Sequence, residues 1–309
     1  MKNIELLSTN KRDTLHVGVW EPIENPKAIL QISHGMIEYI ERYDEFAEFL
    51  KEKGVLVIAN DHLGHGTTAS CDDDLGFFGE GKSKTVVDDL HEVTKYAKKT
   101  YGENLPYFLF GHSMGSFMAR RYLMTYGEEL TAAIICGTGY TPGVVLGAGR
   151  FVANCISLFK GERHRSTFLK NLAFGTYNKR IDNPKSPNAW LSVNEENVMK
   201  YDKDKYCTFS FTVNGYQGLF EAIAFIQKKK NIEKVPKDLP LLFIAGEDDP
   251  VGNYGEGVKK AHALHKNAGA MNTKVVLLPN NRHEILNEHD RYHSFEIIYD
   301  FIENLILAV

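Results

Sequence analysis

Apolar residues in this chain fall into short dense runs, and between the runs they recur at every third or fourth position. Ala28-Ile29-Leu30-Gln31-Ile32-Ser33, Val55-Leu56-Val57-Ile58-Ala59, Pro106-Tyr107-Phe108-Leu109-Phe110, Leu130 to Cys136, Leu239 to Gly246 and Thr273 to Pro279 are such runs. Short and almost wholly apolar, they read as strands buried on both faces. The stretches between them read as helices. Ile40, Tyr43, Phe46, Ala47 and Leu50 share one face of a helix over about Ile40 to Lys53, which Gly54 stops. Val86, Val87, Leu90, Val93 and Tyr96 do the same between Ser83 and Thr100. Tyr292 to Val309 predicts a terminal amphipathic helix whose apolar stripe belongs to the core. At the start of the chain, Ile4 to Leu7 and Thr14 to Trp20, joined through Asn10 to Asp13, predict a hairpin.

Strand and helix alternate along most of the length, which is the signature of a mostly parallel central sheet flanked by helices on both faces. The rhythm breaks between Thr141 and Tyr216. There Pro142 to Gly149 is rich in glycine and small residues, and Asn178 to Lys205 is irregular and polar. An insertion at this point sits above the carboxyl ends of the strands, where open α/β sheets bind ligands. The expected organisation is a core of residues 1–140 and 217–309, with residues 141–216 as an inserted cap, or lid. Its apolar residues, Leu146, Phe151, Leu158, Phe159, Phe174 and Trp190 among them, suffice to bury an apolar substrate or one another.

Candidate chemistry sits at strand ends. Gly111-His112-Ser113-Met114-Gly115 fits G-x-S-x-G, in which a serine occupies a sharp strand-to-helix turn. The apolar run before it and the helical spacing of Phe117, Met118 and Tyr122 after it supply the context that motif needs. A serine hydroxyl is a poor nucleophile without a general base and an acid that orients the base. His283 follows the Thr273 run, while Asp248 and Asp249 both follow the Leu239 run, and position alone leaves the two aspartates as alternatives. The order serine, aspartate, histidine is that of α/β-hydrolases. His112 is expected to point away from the serine and pack. An oxyanion hole needs backbone N–H donors: one from Met114, after the nucleophile, and one from Met36, in the His34-Gly35-Met36 loop after an early strand. Cys155 and Cys207 follow no strand at such a turn and are not expected to be nucleophiles.

The segments His34 to Glu38, Arg42-Tyr43, Asp61-His62-Leu63-Gly64-His65-Gly66, Gly111 to Gly115 and Gly246 to Val251 resemble, in order, the motifs of one family. It is the monoacylglycerol lipase and lysophospholipase branch, serine aminopeptidase S33-type, of the α/β-hydrolase superfamily. The resemblance covers nearly the whole chain outside the insertion. It implies the α/β-hydrolase fold, the nucleophile at Ser113, the base at His283, oxyanion amides at Met36 and Met114, and a lid in the inserted region. It also places the acid at Asp249, which stands third after Gly246 and directly before Pro250-Val251. The chemistry implied is carboxylic ester hydrolysis with no metal and no organic cofactor. Tyr39 and Leu63 stand where the family has His and Arg, which changes loop packing and the polarity of the site mouth rather than the reacting groups. The Asp61 to Gly66 loop is expected to be structural.

Composition narrows the partners. A formal net charge of −4 gives no basic field for nucleic acid, and no nucleic-acid motif is present. The opening residues predict no signal peptide, and no run approaches the roughly 20 apolar residues of a membrane span, so any membrane or micelle contact is expected to be peripheral, through the cap. Cys71, Cys136, Cys155 and Cys207 are dispersed and read as reduced thiols of a cytoplasmic protein. The expected substrate is an acyl ester of a single-chain lipid, a monoacylglycerol or lysophospholipid. The alternatives are a small-ester carboxylesterase, a ligand-binding member with little turnover, and a serine aminopeptidase. The last would hold a substrate ammonium with Glu195, Glu196, Asp202 or Asp204.

Overall fold

A computed structural model describes residues 1–307; the last two positions of the expected terminal helix lie outside the described residues. The hairpin is present, with β1 (Lys2–Leu7) antiparallel to β2 (Thr14–Trp20). The dense apolar runs form β3 (Ala28–Ser33), β4 (Val55–Asn60), β5 (Tyr107–His112), β6 (Ala132–Cys136), β7 (Leu241–Gly246) and β8 (Thr273–Leu278). These six pair in parallel, and β2 joins them antiparallel to β4, giving the order β1-β2-β4-β3-β5-β6-β7-β8.

The helices are α1 (Asp44–Glu52), α2 (Lys82–Tyr101), α3 (Met114–Tyr126), α4 (Gly143–Lys160), α5 (Thr167–Phe174), α6 (Glu195–Lys203), α7 (Val213–Ile226), α8 (Lys229–Ile232), α9 (Glu256–Asn267) and α10 (Arg291–Ile306). Successive side chains on a strand point to opposite faces. Ile29, Leu109, Ile135 and Phe243 therefore pack with α2, α3, α7 and α9, while Leu30, Phe110, Ile134 and Ile244 pack with α1 and α10 on the other side. Parallel strands buried on both faces carry no polar alternation, as their sequences indicate.

Several local readings change. The helix expected from Ile40 starts as a 3₁₀ turn over Ile40–Tyr43, because the Ile40 N–H donates to Asp61 Oδ1 at 3.0 Å and ties that turn to the neighbouring loop. The glycine-rich stretch after Pro142 is helix α4. Its buried face includes Leu146, Gly149 and Ala153, and the Phe220 ring of α7 lies in ordinary van der Waals range of where a Gly149 side chain would begin. At 18 residues α4 is long and apolar enough to cross a bilayer, contrary to the expectation from uninterrupted runs, which Arg150 and Asn154 break. Within the stretch read as irregular, α6 forms under an Asn194 cap that accepts from the Glu196 and Asn197 N–H groups. Only Val198 and Tyr201 of α6 are buried, too few to write a helical period into the sequence. The expected cap boundary after Tyr216 falls inside α7, which begins at Val213 and packs on α4 as well as on α2 and α3.

Candidate active site

β5 runs directly into Ser113, which sits at φ 54° and ψ −120°, and α3 starts at the next residue. A non-glycine residue held there costs about 1–3 kcal/mol and persists only when its surroundings fix it. They do. A side chain at Gly111 would strike the backbone of Gly115 and the methyl of Ala119, and one at Gly115 would strike the carbonyls of Ser33 and His34. The two glycines let α3 close against β3 and β5, and the closure leaves Ser113 at the turn, half-buried.

The loop after β7 separates the two aspartates. Asp248 is exposed, whereas Asp249 is fully buried, accepting from the Val251 N–H at 2.8 Å and facing His283. Nδ1 of His283 lies 3.0 Å from Asp249 Oδ2, which assigns the Nδ1 proton to that bond and leaves Nε2 as the basic nitrogen. The ring is wedged between His112 and Trp190, with centroids 4.7 and 5.1 Å away. Ser113 and His283 line the same cavity, and no hydrogen bond joins them among the described residues. In unliganded sites this contact commonly tightens only with substrate.

Met36 and Met114 also line the cavity, and among the described residues their N–H groups meet no internal acceptor. The turn carrying Met36 is held by Glu38, whose Oε1 accepts from the Gly35 N–H at 2.5 Å. Asp61 accepts from Ile40 and Thr67 and serves the loops, as its sequence setting suggested.

His112 does more than pack. Its Nδ1 lies 3.0 Å from Glu38 Oε1 and its Nε2 lies 3.2 Å from the His283 carbonyl. Burial opposes a charge on either group, but the pairing outweighs it: His112 is raised above its ordinary value and Glu38 is held well below the carboxylate range. Arg42 then joins Glu38 to Glu284, while Asn197 and Tyr201 of α6 reach Glu284 and the Ile37 carbonyl at 2.6 and 2.8 Å. Burial raises Glu284, Arg42 outweighs it, and the net shift is downward. Sequence reasoning missed Glu284 and Asn197. The only available signal was adjacency to His283 for the first, and none for the second.

The cavity measures about 830 Å³. Its lining includes the apolar Phe117, Leu146, Leu219, Phe220 and Ile223 and the polar Tyr140, Asn178, Asn188 and Asp202. Of the four candidate cap acids only Asp202 lines it, and its oxygens already accept from Ser186 and Asn188 at 2.6 and 2.7 Å. Among the described residues, no group of three or more His, Cys, Asp or Glu side chains is placed to hold a metal ion.

A family profile described as serine aminopeptidase, S33, matches residues 24–290. The monoglyceride lipase of Mus musculus is 30% identical over 242 residues, 74% of this chain and 68% of that protein. The monoglyceride lipase homolog of Monkeypox virus is 41% identical over 104 residues, 34% of this chain, so that the match spans only 36% of the viral protein's length. A highly thermostable carboxyl esterase from Bacillus coagulans, solved in complex with glycerol, superposes with a TM-score of 0.92 at 32% identity, covering 99% of this chain and 98% of that one. Matched length, identity and superposition agree, and the chain belongs to the serine aminopeptidase S33 family, on the monoglyceride-lipase-like branch of the α/β-hydrolases.

Proposed function

We propose that this protein is a serine hydrolase that cleaves carboxylic esters of single-chain lipids, monoacylglycerols or lysophospholipids, through an acyl-enzyme. The observation that carries the reading is Ser113, fixed in a strained turn on the wall of an 830 Å³ cavity that also holds the His283–Asp249 pair. His283 Nε2 takes the Ser113 proton as Oγ attacks the ester carbonyl, and Asp249 balances the imidazolium. The Met36 and Met114 amides receive the oxyanion. The carbon–oxygen bond to the alcohol breaks, the alcohol leaves with the proton from His283, and water repeats the steps on the acyl-enzyme.

The apolar lining of the cavity suits an acyl chain, and residues 141–212 would act as its cap. Phe151, Leu158 and Phe159 of α4 and Phe168 of α5 are each more than half exposed, which supports peripheral contact with a membrane or micelle through that cap. Four free thiols suit a reducing, cytoplasmic setting. The aminopeptidase alternative is less well served, since Asp202 has both oxygens engaged by neutral neighbours and no other candidate cap acid reaches the cavity.

The test is fatty-acid release from a monoacylglycerol chain-length series by wild type and Ser113→Ala, with an amino-acid arylamide alongside. Release by wild type and a loss of about 10⁴-fold or more in the variant is the expected result. Arylamide cleavage without fatty-acid release would assign the peptidase reading. No turnover, with Ser113 also unlabelled by a fluorophosphonate, would assign a binding protein.

A further inference from the structure

Arg120 lies on α3, beyond Ser113 on the same helix, and is fully buried. Nη1 donates to Thr138 Oγ1 at 3.4 Å and to the Gly139 carbonyl at 3.2 Å, both at the end of β6. Among the described residues, Nε and Nη2 have no partner and no carboxylate pairs with this guanidinium. Arginine keeps its charge in proteins, so the usual escape of a buried group, loss of the proton, is closed to it. A buried cation without a counter-charge is strongly destabilising.

The neighbourhood is basic as well. His265, on α9 and almost wholly buried, has no partner on either ring nitrogen among the described residues. The titratable groups acting on it are Arg120, His262 and Lys237, with no acid among them. The hydroxyl of Thr138 accepts from Arg120 and has no acceptor of its own among the described residues, so its hydrogen is free to donate. The place thus presents unused N–H and O–H donors and positive charge, and no internal anion. Water would meet the donors and leave the charge unbalanced.

We propose that Arg120 forms the charged wall of a buried site for one small monovalent anion of the halide class, with Nε and Nη2 as donors and Thr138 and His265 as its neutral walls. The site lies next to the catalytic cavity without belonging to it. Gly139, which takes the other Arg120 bond, lines that cavity, and a side chain there would strike the carbonyl of Val251 in the loop carrying Asp249. An anion on Arg120 fixes the end of β6 between the two loops of the site. The inference does not depend on which ester is cleaved.

Thermal unfolding of the intact protein in sodium chloride and in sodium gluconate at matched ionic strength tests it. A saturable rise of roughly 2–4 °C in chloride is expected, and Arg120→Met is expected to melt at the same temperature in both salts. If that variant does not fold, crystals soaked in sodium bromide decide, with an anomalous peak expected beside Nε and Nη2 of Arg120. Equal melting of the dialysed wild type in the two salts, or bromide-soaked crystals with water alone at those nitrogens, overturns the site.

Discussion

Arg42 reaches Glu284 with both ends of its guanidinium, Nη1 to Oε1 at 2.5 Å and Nη2 to Oε2 at 2.7 Å, while the same Nη1 lies 3.0 Å from Glu38. One cation thereby bridges two buried carboxylates, one on the turn that presents Met36 and one next to His283. Removing a single partner from such a cluster leaves the others charged in a poorly solvated place, at a cost of about 3–5 kcal/mol. Arg42→Met is expected to lose about that much stability in urea unfolding and to lower kcat, since both the Met36 turn and the His283 loop lose their tie.

Asp249 and Asp248 make opposite predictions. Asp249→Asn keeps the shape of the His283 contact but favours the wrong imidazole tautomer, and kcat on a chromogenic ester should fall by about 10⁴-fold. Asp248→Asn alters an exposed side chain and keeps the backbone N–H that donates to the Asn281 carbonyl, and kcat should stay within about twofold. Equal losses in both variants would return the acid to an open choice.

The fold was legible because each dense run of apolar residues is a strand, buried throughout in all but the edge strand β8. Ser113 and His283 stood out because each follows a strand end, whereas position left Asp248 and Asp249 open and only the family resemblance separated them. What the sequence hid depends on long-range pairing. Glu38, His112 and Glu284 are far apart along the chain and acquire meaning only when three loops meet. Helix α4 was hidden for another reason: Phe151, Leu158 and Phe159 face outward, so the apolar period that marks a core helix is absent.

Gly35 carries a sharper test of the oxyanion turn. A methyl at this position would land on Glu38 Oε1 and come within 3.1 Å of Ser113 Cβ. Glu38 cannot give way, because Gly35, Tyr43, His112 and Arg42 hold its two oxygens. The turn must move instead, taking the Met36 amide with it. Gly35→Ala should lower kcat by about 10²–10³-fold with a smaller change in KM, the loss typical of one oxyanion donor.

The outward face of α4 separates surface binding from chemistry. Each exposed Phe or Leu that enters an apolar phase is worth about 1.5–3 kcal/mol. Replacing Phe151, Leu158 and Phe159 together with serine should reduce partition onto phosphatidylcholine vesicles roughly 10²-fold or more. Hydrolysis of a soluble short-chain ester should be unchanged, since none of the three lines the cavity. A drop in both would make the face part of the substrate site.

Acid stability rests on His34, His62 and His65, whose ring centroids lie 4.1, 5.0 and 6.3 Å apart in the buried loops beside the elbow. Burial pushes His34 down to about 4 and His65 to about 3, and holds His62 well below its ordinary value. The unfolded chain, with histidines near 6.5, binds these protons first as the pH falls. The stabilisation is thus complete above pH 6.5 and drains on acidification toward pH 3–4, at up to about 1.4 kcal/mol per pH unit for each histidine. His65→Phe removes one of the three and keeps an aromatic ring against Phe78 and Phe211. The bond lost to the Leu63 carbonyl shifts its stability by an offset that does not vary with pH. Urea unfolding between pH 7 and pH 5 should therefore show the wild type declining more steeply than the variant. Parallel declines would mean that the His65 ring takes up its proton inside the folded protein.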